Sequence, residues 1–468
     1  MKKLVSITIC LLLLSTISFG DLLNNRLKIA HVTGEVRWSQ IAFGPDGVLH
    51  CVFEENTEGY GHPIWYVSYD GKTASAPFNV SNSMTIVGQQ PYVTVNVKGM
   101  IAVVWGQWAQ KSSYLRIYDP VQKKWLPIEV VMDEIAPHEP SIALDSEGNV
   151  HITAFSDEGR VYARSKINGV WEETKRLNSG RAKDPMVAIG KDGRVWASWR
   201  ENIGNEYKLR YSKRTKDTSW AAMAKVNDSG ASVAHPSITV GPDNAPWIAA
   251  GDVEAEGGAM VFVLKYDDRA NFWNREEAIG LIAQHYPRIA VDKNNIPHVA
   301  SQWGAGDSGN GILYTNKVGG SWKPLQFLVS SQPKVPGIAA DAFGNVVVCF
   351  SSIESDGADV WIDSLTPVTA KRFYPPVNLT SSVQIKSLKK SPSITYNLGW
   401  SANSDNNDQY LEGYNIYAKS SSGGYELLLS VAKSVFSATF TFEDLSKKRQ
   451  FGIATVSLSG AISEIVNF

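Results

Sequence analysis

Titratable side chains recur in this sequence just before prolines and at the ends of strand-like stretches. The residues whose types suit catalysis are His138, Glu139, Asp184, Glu201, His285 and Tyr286. Histidine titrates near neutral pH and serves as a general acid or base. A pair of carboxyl groups roughly 5 to 10 Å apart cleaves glycosidic bonds, although sequence does not give that distance. These residue types therefore allow a glycoside hydrolase or a polysaccharide lyase.

An overlapping set of residues suits ligand binding without reaction. Its members are Arg37, Trp38, Gln90, Trp108, His138, Glu139, Asp184, Arg200, His235, His285 and Tyr286. An indole such as that of Trp108, in the loop after a strand, can stack on the apolar face of a sugar ring. The alternative is that these polar groups hydrogen-bond adjacent loops and that Trp108 is buried among them.

Metal and cofactor sites are not predicted. The sequence has no His-Xaa-Xaa-Xaa-His and no Cys-Xaa-Xaa-Cys spacing, which zinc sites commonly use. A conspicuous His and Trp series occupies one repeat position on a strand, so we expect packing rather than chemistry from it. The series is His50, His151, Trp196, Trp247 and His298.

These residues are organised by a repeated hairpin. In the copy that begins at Pro140, alternating apolar residues lead into a turn with Asp145 and Gly148 and then resume. Seven copies begin 45 to 52 residues apart, at Ser39, Pro91, Pro140, Pro185, Pro236, Pro287 and Pro336. Repeats of this length are typical of propellers.

Each repeat continues with a third strand that contains a Tyr or Phe, and then often with a Trp that opens a fourth strand. Four short antiparallel strands form a blade of a β-propeller. The last repeat lacks a convincing fourth strand, and residues 25–33 precede the first repeat as a leftover one. We therefore predict an all-β fold: a seven-bladed propeller over residues 21–368, closed by this N-terminal strand.

Residue differences between the copies indicate where a ligand binds. Pro, Ile, Asp and Gly repeat because every blade needs the same hairpin, whereas the residues before each proline vary. Ligands of propellers sit where the innermost strands begin. Seven unlike positions there predict one asymmetric central site rather than a multivalent lectin.

The N-terminal segment indicates the cellular compartment, and the charge balance limits the expected partners. Residues 1–20 combine Lys2 and Lys3 with an apolar run and small residues, which is typical of a secretory signal peptide. The sequence has 45 basic and 46 acidic side chains, so nucleic acid is not an expected partner, and no later stretch could span a membrane. We expect a secreted protein, extracellular or periplasmic. Cys51 and Cys349 fall on strands of the first and last repeats, where they could be bridged or be two buried free thiols.

The last 95 residues or so change pattern. Residues 373–468 contain paired prolines at entry, Trp400 on the second strand and a Gly-Tyr-Asn-Ile-Tyr third strand that ends at Tyr417. This segment resembles a fibronectin type III domain, an immunoglobulin-like sandwich. Phe451 stands where that family usually has the corner tyrosine. The resemblance implies a spacer, or a module that docks on other cell-surface proteins.

The repeats themselves resemble sialidase-like propellers with degenerate Asp-box (BNR-type) turns. The remnants of those turns are residues 165–171, 212–220 and 315–322. A sialidase would add three arginines that converge on a carboxylate, and no such triad can be placed on this sequence. The resemblance therefore implies the fold more than the activity. Glycan or extracellular-polymer binding is the first function it suggests; an active hydrolase or lyase and a protein-interaction scaffold are the alternatives.

Overall fold

The structure is a computed structural model whose chain divides into two compact units, with the boundary near residue 370. It describes residues 23–57, 62–83, 88–107, 110–133, 137–215, 219–227, 232–254, 258–279, 284–304, 311–329, 335–368, 375–386, 393–404, 406, 411–419, 424–444, 449–457 and 462–468. Strands dominate both units, with one short 3-10 turn at Val318–Gly320. The prediction of an all-β chain is confirmed.

The described strands of the first unit form seven antiparallel sheets, which we number 1 to 7 in chain order. Their first strands are Glu35–Phe43, Gln89–Val95, His138–Leu144, Ala182–Ile189, Val233–Val240, Gln284–Val291 and Gly337–Ala340. Their second strands are Leu49–Asn56, Ile101–Gln107, Val150–Phe155, Val195–Ile203, Pro246–Glu254, Pro297–Trp303 and Val346–Glu354. These are the seven hairpins that the repeat predicts.

The third and outer strands complete each sheet. The third strands are Ile64–Tyr69, Ser112–Asp119, Val161–Ile167, Glu206–Arg214, Gly258–Asp267, Gly311–Asn316 and Gly357–Ser364. The outer strands are Phe78–Asn79 in sheet 1, Lys124–Trp125 and Glu129–Met132 in sheet 2, Val170–Trp171 and Lys175–Arg176 in sheet 3, Ala224–Lys225 in sheet 4, Phe272–Ile279 in sheet 5, Gln326–Val329 in sheet 6 and Leu27–Val32 in sheet 7. Trp220 and Trp322, which the sequence predicts to open outer strands, lie just before them and pack against neighbouring sheets.

The first strands contact one another in cyclic order, and that of sheet 7 contacts that of sheet 1. The last sheet takes its outer strand from the start of the chain, because Leu27–Val32 pairs antiparallel with Gly357–Ser364. The pairing expected for residues 27–33 is thus present, and it covers an otherwise open edge. This ring of small sheets is consistent with the blades of a β-propeller.

The repeated aspartate stabilises the hairpin turn. Asp145 Oδ1 accepts hydrogen bonds from the backbone N–H groups of Glu147 and Asn149, both at 2.8 Å, and Gly148 takes a φ of +95° in the same turn. Asp341 closes the sheet 7 hairpin in the same way. A short acceptor side chain and a glycine are what such a turn requires.

The His and Trp series fills space between sheets. His50, His151, Trp196, Trp247 and His298 are all buried. Burial lowers the pKa of His50 and of His151 to about 4, so both rings are neutral at physiological pH. Their packing role, expected from their shared repeat position, agrees with this burial.

The second unit contains two antiparallel sheets. One consists of Val377–Lys386, Ser393–Ser401 and Ser437–Phe442, and the other of Tyr425–Ala432, Leu411–Lys419, Phe451–Ser457 and Val466–Asn467. Alternate residues of the central strands, among them Trp400, Tyr414 and Phe451, form one buried cluster. Nowhere in the described parts of either unit is there a helix long and apolar enough to cross a membrane.

Candidate functional site

One pocket in the first unit collects side chains from the beginnings of six first strands. It encloses about 380 Å³ together with its opening to solvent. Its walls include six of the predicted binding residues: Trp38, Gln90, Glu139, Asp184, His235 and Tyr286. Each occupies the position directly before the repeat proline, or before Ser39 in sheet 1, so each of sheets 1 to 6 contributes its residue at this position to the pocket.

A shared backbone conformation marks this position. Gln90, Glu139, Asp184, His235 and Tyr286 have φ between 45° and 54°, in the left-handed region. A residue before proline normally adopts an extended conformation, and non-glycine residues seldom have positive φ. The pairing with the second strand also shifts register at this point in sheets 1 to 6. Such bulges redirect side chains, and here the redirected side chains line the pocket.

Sheet 7 contributes differently. Its residue at this position is Val335, which is buried and forms a parallel bridge with Trp38. Sheet 7 thus has an apolar side chain and a backbone pairing at the position where the other sheets have a polar or aromatic side chain. The pocket is therefore asymmetric, as the unlike residues of the sequence predict.

Hydrogen bonds link neighbouring sheets around the pocket. The backbone N–H of Gln90 donates to Glu54 Oε2 at 3.0 Å, and the backbone N–H of Glu139 donates to Gln90 Oε1 at 3.0 Å. The Gln90 amide also donates to Glu139 Oε1 at 3.4 Å. Glu54 is itself buried and contacts His62 Nδ1 at 2.9 Å. These contacts satisfy the backbone groups that the bulge removes from the strand ladder.

Two carboxyl groups of the pocket have pKa values that are shifted in opposite directions. Burial raises the pKa of Glu139 well above its ordinary value, and the nearby charge of Asp184 raises it further. Burial acts in the same direction on Asp184, but the charges of Arg200 and His235 outweigh it, so the pKa of Asp184 lies well below its ordinary value. Glu139 is therefore the group that keeps its proton to higher pH, and Asp184 is the one that ionises first. Such divergence between neighbouring acids is typical of acid–base sites.

The charge of Asp184 is balanced locally. Its Oδ2 lies 2.6 Å from Arg200 Nε and 3.4 Å from His235 Nδ1. Arg200 does not line the pocket, and its guanidinium stacks over the Tyr207 ring at 4.5 Å. It therefore acts behind the pocket wall, where it keeps Asp184 ionised.

Aromatic rings form the opposite wall. Trp38 and Tyr286 meet edge to face, with ring centroids 5.6 Å apart, and the His235 ring lies 3.9 Å from that of Tyr286. A wall of this kind offers a flat apolar surface beside the polar carboxyl groups.

Besides the repeat prolines Pro185 and Pro236, three pocket residues were not predicted: Tyr92, Met186 and Arg288. Each directly follows a repeat proline. That position is as variable between copies as the one before the proline, and this variability was the available signal. Arg288 is 7% exposed; it donates to the carbonyl oxygen of Pro287 at 3.2 Å, and its Nε has no hydrogen-bond partner among the described residues.

Several other candidates lie away from the pocket lining. Arg37 pairs with Glu35 at 3.0 Å, and His138 contacts Asp157 and stacks on Phe155. Residues two before the proline precede the bulge, so their side chains take another direction. Trp108 is outside the described residues.

Glu201 and His285 also lie outside the lining. Glu201 is buried, and its carboxylate accepts hydrogen bonds from the backbone N–H groups of Ser179 and Gly180 and from the Nε of Arg210. The carboxylate therefore supports a loop. Burial lowers the pKa of the half-buried His285, and the charge of His235 lowers it further.

No group of three or more His, Cys, Asp and Glu side chains that could hold a metal ion occurs in the described part of the chain.

Comparison with known proteins gives a likeness of fold. No family model matches the sequence, and no curated protein matches it. A fungal alcohol oxidase of the AA5 family, solved in complex with copper, is 11% identical, with 96% of this chain and 99% of that chain covered and a TM-score of 0.52. An ulvan lyase from a new polysaccharide lyase family is 9% identical, with 71% and 97% covered and a TM-score of 0.48.

A NanB sialidase variant from Streptococcus pneumoniae is 9% identical, with 60% of this chain and 67% of that chain covered and a TM-score of 0.44. At these identities the likeness concerns the fold alone, and the likeness to the oxidase extends over both units.

Proposed function

We propose that this is a secreted protein in which a seven-bladed β-propeller, residues 21–368, binds a glycan at its one central pocket. Residues 373–468 form a fibronectin type III-like module that acts as a spacer or docks on a cell-surface partner. The observation that carries the proposal is the convergence of six equivalent but chemically different side chains on one pocket. A site built this way has a single occupant rather than seven equivalent ones.

The chemistry of the walls suits a sugar. A sugar ring has apolar C–H faces and a rim of hydroxyl groups. Trp38 and Tyr286 offer an aromatic surface to the faces, while Gln90, Glu139 and Asp184 offer donors and acceptors to the hydroxyls. Arg288 adds a cation with an unused Nε donor, which favours a glycan that carries an acidic group.

Glycan binding is tested with the full secreted chain on an array of neutral and acidic oligosaccharides, followed by calorimetry on the strongest binder. We expect binding with one site per chain. Absence of binding to every oligosaccharide, or a stoichiometry near seven, would contradict the proposal.

A catalytic function is the second candidate, and one observation favours it. The pKa of Glu139 is raised while that of Asp184, which interacts with it, is lowered. An acid and a base in one pocket are what a glycoside hydrolase or a polysaccharide lyase needs. The bound oligosaccharide is incubated with the protein and its products are followed by mass spectrometry. Hydrolysis adds water to the products and elimination leaves an unsaturated end; an unchanged oligosaccharide leaves binding as the function.

A further inference from the structure

Two cysteines, Cys51 and Cys349, lie among the described residues of the first unit, and their side chains project from opposite faces of their sheets. Cys51 is twelve residues after Ser39, where the first repeat begins, and Cys349 is thirteen residues after Pro336, where the last begins. Successive residues of a strand point to opposite faces of a sheet. The two thiols therefore project from opposite faces of two otherwise equivalent sheets.

In a closed ring of sheets, opposite faces are the ones that meet. Cys51 and Phe53 of sheet 1 pack in one buried cluster with Val347 and Cys349 of sheet 7. The other face of sheet 7, which carries Val348 and Phe350, packs instead with sheet 6. Cys51 and Cys349 thus face each other where the two ends of the ring meet.

The local packing buries both sulfur atoms. Both residues are essentially unexposed, and Cys349 Sγ lies 3.4 Å from Ser39 Oγ. A Cβ at Gly337 would stand 2.7 Å from Cys349 Sγ, so this glycine leaves the space that the sulfur occupies.

The two thiols shift each other's pKa. The interaction with Cys349 raises the pKa of Cys51, and burial raises it further. Burial also acts upward on Cys349, but hydrogen bonds that involve Cys51 and Ser39 outweigh it and lower its pKa. In the folded protein Cys349 is therefore the thiol that ionises more readily. The thiolate is the nucleophile in disulfide exchange.

We propose that Cys51 and Cys349 form a disulfide that closes the ring of seven sheets covalently. The oxidant is an external disulfide, of a small thiol or of an exchange catalyst. One cysteine thiolate attacks it and releases one external thiol; the other cysteine thiolate then attacks the mixed disulfide and releases the second. One sulfur–sulfur bond forms as another breaks, and the external thiols carry away two electrons and two protons. Because both cysteines are buried in the finished fold, exchange takes place while sheet 7 docks on sheet 1.

The bond would add to a closure that hydrogen bonds already make. Strand Leu27–Val32 joins the ends of the ring through its pairing with Gly357–Ser364. A disulfide encloses the 297 residues between Cys51 and Cys349, and a loop of that length strongly restricts the unfolded chain. We expect the melting temperature to fall by roughly 5 to 10 °C on reduction.

Alkylation and mass spectrometry test the bond. The full chain is refolded in a buffer of reduced and oxidised glutathione, denatured in guanidinium, treated with iodoacetamide without reductant, and digested. We expect one cross-linked peptide pair that contains Cys51 and Cys349, and alkylation of both only after reduction. Alkylation of both cysteines without reductant would overturn the proposal.

A variant in which the thiol is moved by one residue is the matched control. The variant C51V/V52C moves the sulfur by one residue, to the face that packs with Val93 and Val103 of sheet 2. We expect it to keep both thiols free under the same conditions, with a melting temperature insensitive to reductant. An equal melting temperature of the wild-type protein with and without reductant would also contradict the disulfide. Neither measurement involves glycan binding, so the disulfide is tested independently of the proposed function.

Discussion

Glu139 and Asp184 occupy the same repeat position in neighbouring sheets, and the pocket raises the pKa of Glu139 but lowers that of Asp184. The difference comes from what stands behind each carboxyl group. Arg200 and His235 lie against Asp184, whereas a Gln90 amide lies against Glu139. Equivalent backbone positions therefore have oppositely shifted pKa values because the second strands and neighbouring sheets differ.

The first prediction concerns Glu139 and pH. Its pKa is raised on folding, so the folded state binds its proton more tightly than the unfolded state, and stability falls as pH rises above the unfolded pKa of about 4.3. The variant E139Q removes this loss. We expect it to match the wild type at pH 4 and to become relatively more stable by about 1.4 kcal/mol per pH unit until the folded pKa is reached. Urea denaturation between pH 4 and 9 measures the difference; a constant difference across that range contradicts the raised pKa.

The second prediction concerns the cation behind Asp184. Replacement of Arg200 by Met leaves the Asp184 carboxylate buried with only His235 nearby, and we expect a loss of about 2 to 4 kcal/mol in the free energy of unfolding. Adding D184N should restore at least about 1 kcal/mol, because the unpaired charge is then gone. The control is R160M, which removes an ion pair with Glu158 from the surface and should change stability by less than about 0.5 kcal/mol. Equal losses in R200M and in R200M/D184N would show that the charges are not coupled.

The third prediction concerns the aromatic wall. The variant W38A should weaken glycan binding by about ten- to a hundred-fold, because it removes the largest apolar surface that lines the pocket. Calorimetry with the best array ligand gives the affinity. Phe272, which is 45% exposed on the outer strand of sheet 5, is the control, and F272A should bind like the wild type. Equal affinities of W38A and F272A would remove Trp38 from the site.

The fourth prediction separates binding from structure at Arg288. The variant R288M replaces a buried cation by an apolar side chain of similar length, so the melting temperature should stay the same or rise. Affinity for an acidic glycan should fall at least about ten-fold, while affinity for the same glycan after reduction of its carboxyl groups should not change. A drop in melting temperature with unchanged affinity would assign Arg288 a structural role instead.

The fifth prediction concerns the repeated turn. The variant D145A removes the acceptor of two backbone N–H groups and should cost about 1 to 2 kcal/mol of stability without any effect on glycan affinity. The exposed neighbour Glu147 serves as control, and E147A should stay within about 0.5 kcal/mol of the wild type. Loss of affinity in D145A at unchanged stability would mean that the repeat position contributes to the site.

Most of the architecture is visible in the sequence because every sheet needs the same hairpin. Pro140, Asp145 and Gly148 mark a strand, a turn and a second strand, and seven such sets place seven sheets. The unpaired stretch before the first repeat also points to its partner, since Leu27–Val32 supplies the strand that sheet 7 lacks. These features depend on local backbone chemistry, which residue types report directly.

The site is visible only in part. Variability picks out the residues before each proline, but an extended backbone is the expectation there, and it does not separate His138 from Glu139. The left-handed φ of Glu139 does, and it depends on contacts with the neighbouring sheets. Contacts in the folded protein also determine the roles of Glu201 and Arg288. The loop-supporting role of Glu201 depends on Ser179 and Gly180, and packing leaves the Nε of Arg288 without a hydrogen-bond partner among the described residues.

The left-handed residues before the prolines have a consequence for protein engineering. Each of these five positions belongs to a different sheet, and the bulge that turns it inward is shared by all of them. A library that randomises Gln90, Glu139, Asp184, His235 and Tyr286 would thus recombine pocket chemistries on a constant scaffold. Asn, Asp, His and Gly should be enriched among its folded members, since these residues tolerate positive φ most readily. New specificities could then be selected one sheet at a time.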